Sequence, residues 1–207
     1  VTIGNSAFSG CAALKSISFP STLKTIGQLA FSDSGIEELV IPSNVNEVGF
    51  FAFVSCQSLT KLTLSASLDA GTSNMQFYGC ENLVDVEVTE GVTSIPTGMF
   101  DGCTGLKNVT LPESLTTIGG WVFANCTSLE SLTIPASVTL MNDILCDGCT
   151  SLQALYMMPT TPPEMWSWGS DFNVKIYVPR ESVSAYKTAD GSLWSDYSGN
   201  NWPNPYN

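Results

Sequence analysis

Residues Ile3–Cys11 read IGNSAFSGC, and the string returns as IGQLAFSDS at Ile26, VGFFAFVSC at Val48, IPTGMFDGC at Ile95 and IGGWVFANC at Ile118. Two weaker copies begin at Thr72 (TSNMQFYGC) and Met141 (MNDILCDGC). Successive copies lie 23, 22, 24, 23, 23 and 23 residues apart. A near-constant period of this length marks a stacked array, in which one small unit recurs along an axis. A second signature follows each copy, as in LKSISFP (Leu14–Pro20), LTKLTLS (Leu59–Ser65), LKNVTLP (Leu106–Pro112) and LESLTIP (Leu129–Pro135).

The second signature reads L-x-x-L-x-L, and its alternation predicts a short strand with one buried face. The pleat sends Ile17 and Phe19 inward and Ser16 and Ser18 outward, with equivalent inward pairs Leu39/Ile41, Leu62/Leu64, Val86/Val88, Val109/Leu111, Leu132/Ile134 and Leu155/Met157. Pro20, Pro42, Pro112 and Pro135 then end the ladder, because proline donates no hydrogen bond. One coil cannot bury its own apolar face, but stacked coils pair their strands in parallel and pack each inward residue on its counterpart. Phe8, Phe31, Phe53, Phe77, Phe100 and Phe123 are expected to form a phenylalanine stack in the core. The glycine of I-G-x-x (Gly4, Gly27, Gly49, Gly119) marks either a positive φ or a close approach of backbones. The stretch from glycine to cysteine is too short for a stable helix. Short strands or 3₁₀ turns are expected on the convex side.

The pattern I-G-x-x-A-F-x-x-C-x-x-L-x-x-I-x-I-P resembles the BspA-like branch of bacterial leucine-rich repeat proteins over residues 1 to about 159. The resemblance implies a right-handed leucine-rich repeat solenoid, mainly β, with seven repeats of about 23 residues over 1–159 and a C-terminal capping segment over 160–207. It also implies a secreted or surface-exposed bacterial protein that contacts host extracellular proteins or other bacteria. Ser34 in place of cysteine, Cys146 in place of phenylalanine and the lost I-G at Thr72 depart from the pattern. The tail VKIYVPRESVSAYKTA (Val174–Ala189), followed by Trp194 and Tyr197, resembles the terminal module of such arrays. Val174, Ile176 and Val178 alternate as a last strand, and Ser182–Asp190 reads as a short helix opened by a serine cap. Trp166, Trp168, Trp194 and Trp202 are expected to lid the open end of the core.

Composition narrows the function. Seven Lys+Arg against 19 Asp+Glu give a net charge of −12, a field that repels nucleic acid and anionic membranes. Mean hydropathy is +0.16, yet no run of 18 apolar residues occurs, so no membrane-inserting segment is expected. The sequence starts inside a repeat at Val1 and reads as trimmed from a longer chain, so a missing signal peptide says nothing about compartment. There is no histidine, which removes the commonest general base and metal ligand and every Ser-His or Cys-His nucleophile. No phosphate loop or metal-ligand spacing appears, and no enzyme activity, metal or cofactor is expected.

Six cysteines, at 11, 56, 80, 103, 126 and 149, share one register. Neighbouring coils ~4.8 Å apart would hold parallel Cβ atoms beyond the ~3.5–4.5 Å a disulfide prefers, and a single file cannot surround zinc tetrahedrally. They read as small buried hydrophobes. Cys146 and Cys149 form a C-x-x-C pair that the repeat explains without chemistry, and a bond between them stays open.

Candidate contact residues are those that break the period. Glu38, Asp85, Glu87, Asn108 and Tyr156 fall on outward strand positions. Paired carboxylates serve general acid–base chemistry elsewhere, but a flat solvated sheet offers nothing to separate their pKa values. A cation or a basic partner is the contact they suit. Phe51 and Trp121 occupy an off-sheet register filled elsewhere by Ser6, Leu29, Gly98 and Asp143. The expected function is a protein-binding or adhesion module whose partners are host extracellular or bacterial surface proteins. The alternatives are glycan binding through exposed aromatics, or a rigid spacer.

Overall fold

The coils are built from a long and a short strand, each parallel to its paired neighbours. The computed structural model describes residues 1–66, 68, 75–165 and 174–189. The long strands are β3 (Glu38–Ile41), β5 (Lys61–Leu64), β6 (Asp85–Val88), β8 (Asn108–Thr110), β10 (Ser131–Ile134), β12 (Ala154–Met157) and β13 (Lys175–Tyr177). The two-residue strands are β1 (Thr2–Ile3), β2 (Thr25–Ile26), β4 (Glu47–Val48), β7 (Ser94–Ile95), β9 (Thr117–Ile118) and β11 (Leu140–Met141). The repeats are a β-solenoid with short strands, not helices, behind the long ones. Among the described residues the one α-helix, α1 (Val183–Thr188), lies beyond the repeats and follows a 3₁₀ turn at Arg180–Ser182.

The period of the sequence is the register of the sheets: Glu38 pairs with Lys61, Lys61 with Asp85 and Asp85 with Asn108. Alternation does what the pleat requires, since Leu39, Ile41, Leu62, Leu64, Val86 and Val88 are buried. Pro20, Pro42, Pro112 and Pro135 each also start a turn, the carbonyl accepting from the residue three on, as in Leu23 N–H to Pro20 O and Val138 N–H to Pro135 O. The Phe–Cys segment bonds coil to coil as well. Phe31 N–H donates to Ala52 O at 2.7 Å and Asp33 N–H to Val54 O at 3.0 Å. Three bonded sides per coil leave few backbone groups unsatisfied inside.

The long-strand sheet is interrupted once. Its strands run in the order β3-β5-β6-β8 and then β10-β12-β13, with no ladder between β8 and β10. Val109 and Leu111, beside that gap, are only half-buried. The first coil departs as well: Ser16–Phe19 alternates outward and inward as expected but forms no strand, and Ile17 and Phe19 are half-buried.

The phenylalanine stack is present. Centroids of Phe8–Phe31, Phe31–Phe53 and Phe53–Phe77 lie 5.0, 5.0 and 5.1 Å apart, and those of Phe77–Phe100 and Phe100–Phe123 5.9 and 5.8 Å. Phe8 differs from the expectation of a buried ring: it ends the stack and is 36% exposed, because no coil among the described residues covers its outer side.

Glycine has two separate tasks. The I-G glycines keep negative φ and serve close approach: a Cβ on Gly119 would sit 2.5 Å from Thr97 N, and one on Gly49 2.6 Å from Gln28 N. Gly4, in the first coil, meets nothing. Positive φ belongs to the residue before the cysteine register, filled by Gly10, Gly79, Gly102 and Gly148, with Asp33, Ser55 and Asn125 in the other coils.

The solenoid path continues past residue 159. Glu164 bridges Leu140 on the short-strand side, and β13 pairs with β12, so the segment expected to cap the array begins with an eighth turn. Val174, Ile176 and Val178 are buried, and Tyr186 of α1 is wholly buried, its hydroxyl donating to Pro159 O at 3.0 Å. The serine cap is not formed. Ser182 belongs to the 3₁₀ turn, is itself right-handed helical, and buries its Oγ without a hydrogen-bond partner. Trp166, Trp168, Trp194, Tyr197 and Trp202 lie outside the described residues.

Two substitutions test this packing. Phe100→Ala is expected to cost about 3–5 kcal/mol in chemical denaturation, as buried aromatic truncations do. Gly119→Ala is expected to destabilise by about 1–3 kcal/mol through overpacking against backbone, whereas Gly4→Ala stays within about 0.5 kcal/mol of the parent.

Candidate functional site

The outward positions of the long strands form two rows. One runs Glu38, Lys61, Asp85, Asn108, and the other Val40, Thr63, Glu87, Thr110, both fixed by the strand register. Glu38, Lys61, Glu87 and Asn108 are exposed and Asp85 is half-buried, its Oδ1 accepting from Asn108 Nδ2 at 2.6 Å. Strands ~4.8 Å apart put Glu38 about 10 Å from Asp85 along the row, with Lys61 between them. The structure thus brings Glu38, Asp85, Glu87 and Asn108 onto one surface and sets a lysine among them. These carboxylates stand on an open strand face, where they attract cations and basic side chains and lack the enclosure that acid–base catalysis uses.

Tyr156 does not join them. It lies beyond the β8–β10 gap, pairs with Tyr177 across β12 and β13, and stacks on that ring with centroids 4.9 Å apart. Beside the pair opens a cleft of about 600 Å³ lined by Tyr156, Met158, Thr160, Tyr177, Pro179 and Arg180 among others. Sequence reasoning missed Tyr177 and Arg180. The signal was available, since an inward 174/176/178 alternation leaves 175 and 177 outward.

The two off-sheet aromatics share a left-handed backbone register, with φ of 54° at Phe51 and 52° at Trp121. The register continues to Ile144 in the last repeat, not Asp143; Asp143 instead supplies the carbonyl that accepts from Trp121 N–H at 3.0 Å. The one-residue offset arises because the register is counted from Met141, the partner of Ile118. Phe51 is half-buried, packed between Phe50 at 3.9 Å and Tyr78 at 5.7 Å between centroids. Trp121 is 43% exposed. A left-handed backbone costs an L-residue roughly 1–2 kcal/mol, so a bulky residue there is held by the coil and is not chosen for the turn.

A family profile described as BspA type leucine-rich repeat region matches residues 1–75 and 71–162. The chain belongs to the BspA-type leucine-rich repeat family. Its fold is shared with a leucine-rich repeat protein from Bacteroides ovatus, at 29% identity over 86% of this chain and 46% of that one, with a TM-score of 0.71. A leucine-rich repeat protein from Eubacterium ventriosum matches at 27% identity over 76% of this chain and 38% of that one, with a TM-score of 0.57. The leucine-rich repeat protein of T. pallidum matches at 29% identity, over 60% of this chain and 59% of that one, with a TM-score of 0.51. The chain therefore spans less than half the length of the first two. A search of curated proteins finds no match.

In this BspA-type array the cysteine register has a structural task beyond filling space. The seven cysteines are free thiols, and five of the six register members bond back to the coil before them. Sγ–H of Cys56, Cys80, Cys103, Cys126 and Cys149 donates to the carbonyl of Phe31, Phe53, Phe77, Phe100 and Phe123, at 2.9–3.3 Å. Ser34 stands where cysteine is replaced and its Oγ lies 3.4 Å from Sγ of Cys56, the register member in the next coil. Cys146 fills the phenylalanine position and shares a hydrogen bond with Cys149, which together with burial raises its pKa. Burial pushes the Cys103 and Cys126 thiols well above their ordinary value of 9.0.

The sign of the pH dependence follows. A raised folded-state pKa means that the folded thiol keeps its proton while the unfolded one loses it, so the stability it supplies is complete below pH 9 and falls above it. The unfolding free energy is expected to drop between about pH 9 and 10.5, approaching about 1.4 kcal/mol per pH unit for each of Cys103 and Cys126, read by chemical denaturation at a series of pH values. A Cys103→Ala/Cys126→Ala variant is expected to show a shallower drop in the same titration.

Proposed function

We propose that this BspA-type chain is a recognition module of a surface-exposed or secreted bacterial protein, and that it binds another protein through its long-strand face. The observation that carries this reading is the pair of in-register rows. Hydrogen-bonded parallel strands hold Glu38, Asp85, Glu87 and Asn108 at fixed spacing, so a partner meets a preorganised surface and little side-chain ordering is left for binding. The acidity of that surface, within a chain of net charge −12, favours a partner with a basic face. Host extracellular proteins and surface proteins of other bacteria are the partner classes that family membership suggests. The reading as a binding module rather than an enzyme rests on the lack of histidine and on the open setting of the carboxylates.

Glycan binding is the second reading, favoured by the exposed indole of Trp121. The two readings separate in one experiment. Binding of the chain to a panel of purified extracellular-matrix and bacterial surface proteins is measured alongside a glycan array. A Glu38→Gln/Asp85→Asn/Glu87→Gln variant is expected to lose tenfold or more in affinity for its protein partner and to lose most of the salt dependence, with folding unchanged. Protein binding that survives in this variant, or glycan binding abolished by Trp121→Ala, refutes the long-strand face as the binding surface.

A further inference from the structure

The cleft beside Tyr156 and Tyr177 carries features that the acidic rows do not. It lies where β12 and β13 leave the sheet, between the segment after Met157 and the 3₁₀ turn at Arg180–Ser182. Its volume of about 600 Å³ falls within the range of ligand-sized sites, and Val178 and Pro179 add apolar lining. Met158, 45% exposed, presents a flexible thioether that reshapes around an incoming group. Tyrosine, methionine and arginine are the residue types over-represented at protein-binding hot spots.

Charge decides the polar end of the ligand. Arg180 is the only arginine of a chain with 19 acidic residues, and it stands exposed at this cleft. Among the described residues it forms no ion pair; the pair that does form is Lys15–Glu37, in the first coils. A free guanidinium beside an apolar cleft matches a carboxylate, with which it makes two parallel hydrogen bonds. Glu181, also in the lining, suits a donor such as a peptide N–H. A peptide fits better than a saccharide for two reasons. The tyrosine rings cover one face of each other, so they do not offer two open platforms for sugars. A peptide segment also carries both the carboxylate that suits Arg180 and the N–H donor that suits Glu181.

We propose that this cleft binds an extended peptide segment of the partner in which an apolar side chain adjoins an acidic one, the apolar group entering between Met158 and Tyr177 and the carboxylate meeting Arg180. This rests on the protein-recognition reading above and adds a second, oppositely charged anchor to it. Three ladder steps of ~4.8 Å and the unpaired β8–β10 gap separate β6 from β13, a span that about a dozen extended residues running across the strands cover. One partner segment is therefore long enough to place a basic residue on Asp85 and Glu87 and the apolar–acidic doublet in the cleft.

The test is selection of a random dodecapeptide display library on the immobilised chain, in parallel on the parent, Arg180→Glu and Asp85→Asn/Glu87→Gln. The parent is expected to enrich apolar–acidic doublets at least tenfold. Arg180→Glu is expected to replace them by apolar–basic doublets, a switch that a purely structural effect does not produce. The acid-patch variant is expected to keep the doublet and lose only the basic residue. A selected peptide made synthetically is expected to bind Arg180→Gln at least tenfold more weakly than the parent, with partial recovery in Arg180→Lys. Doublets that are absent from the parent selection, or that persist unchanged on Arg180→Glu, overturn the cleft assignment. If basic peptides dependent on Asp85 and Glu87 are still enriched in that case, the long-strand reading stands without it. A glycan array signal lost in Tyr177→Ala, with no peptide enrichment, assigns the cleft to sugars and overturns it too.

Discussion

No coil of this protein is stable alone, because its apolar side and most of its backbone groups find partners only in the coil before and the coil after. The Phe100 ring lies between Phe77 and Phe123, the Cys103 thiol reaches Phe77 O, and Gly119 lets its backbone close on Thr97. Each contact reaches a single repeat along the axis. Stability is then close to a sum of neighbour terms, and a fault in one coil weakens two interfaces while leaving distant ones intact.

That constraint explains residues that elsewhere would suggest chemistry. A file of thiols in one register looks like a metal or redox device. Here Cys56, Cys80, Cys103, Cys126 and Cys149 each have a carbonyl acceptor one coil away, and burial keeps Cys103 and Cys126 protonated. The glycines before the cysteines are there for a left-handed turn, and the I-G glycines for contact between backbones. The positions that the stack does not use are the outward strand residues and the loops at the ends.

The gap between β8 and β10 divides the outward face into two parts of different character. On one side lies the acidic surface of Glu38, Asp85 and Glu87, and on the other the Tyr156–Tyr177 stack with Arg180 beside it. The two parts differ in charge and apolar content: three carboxylates with a lysine among them on one, a tyrosine stack with Arg180 and Glu181 beside it on the other.

The periodicity alone determined the coil, its length, the inward pairs, the phenylalanine stack and the cysteine register, because each is set by translation of one short unit. It also placed Glu38, Asp85, Glu87 and Asn108 on one face, since a strand register carries side chains with it. Only the tertiary structure decided what depends on how the coils close on one another. It chose close approach over positive φ for Gly27, Gly49 and Gly119 and left Phe8 open at the end of the stack. It also separated Tyr156 from the acidic rows and gave it Tyr177 and Arg180 as neighbours. Those neighbours sit 21 and 24 residues further on, in a turn that no longer follows the motif. A repeat fixes what recurs, and a cleft where the repeat ends is fixed only by packing.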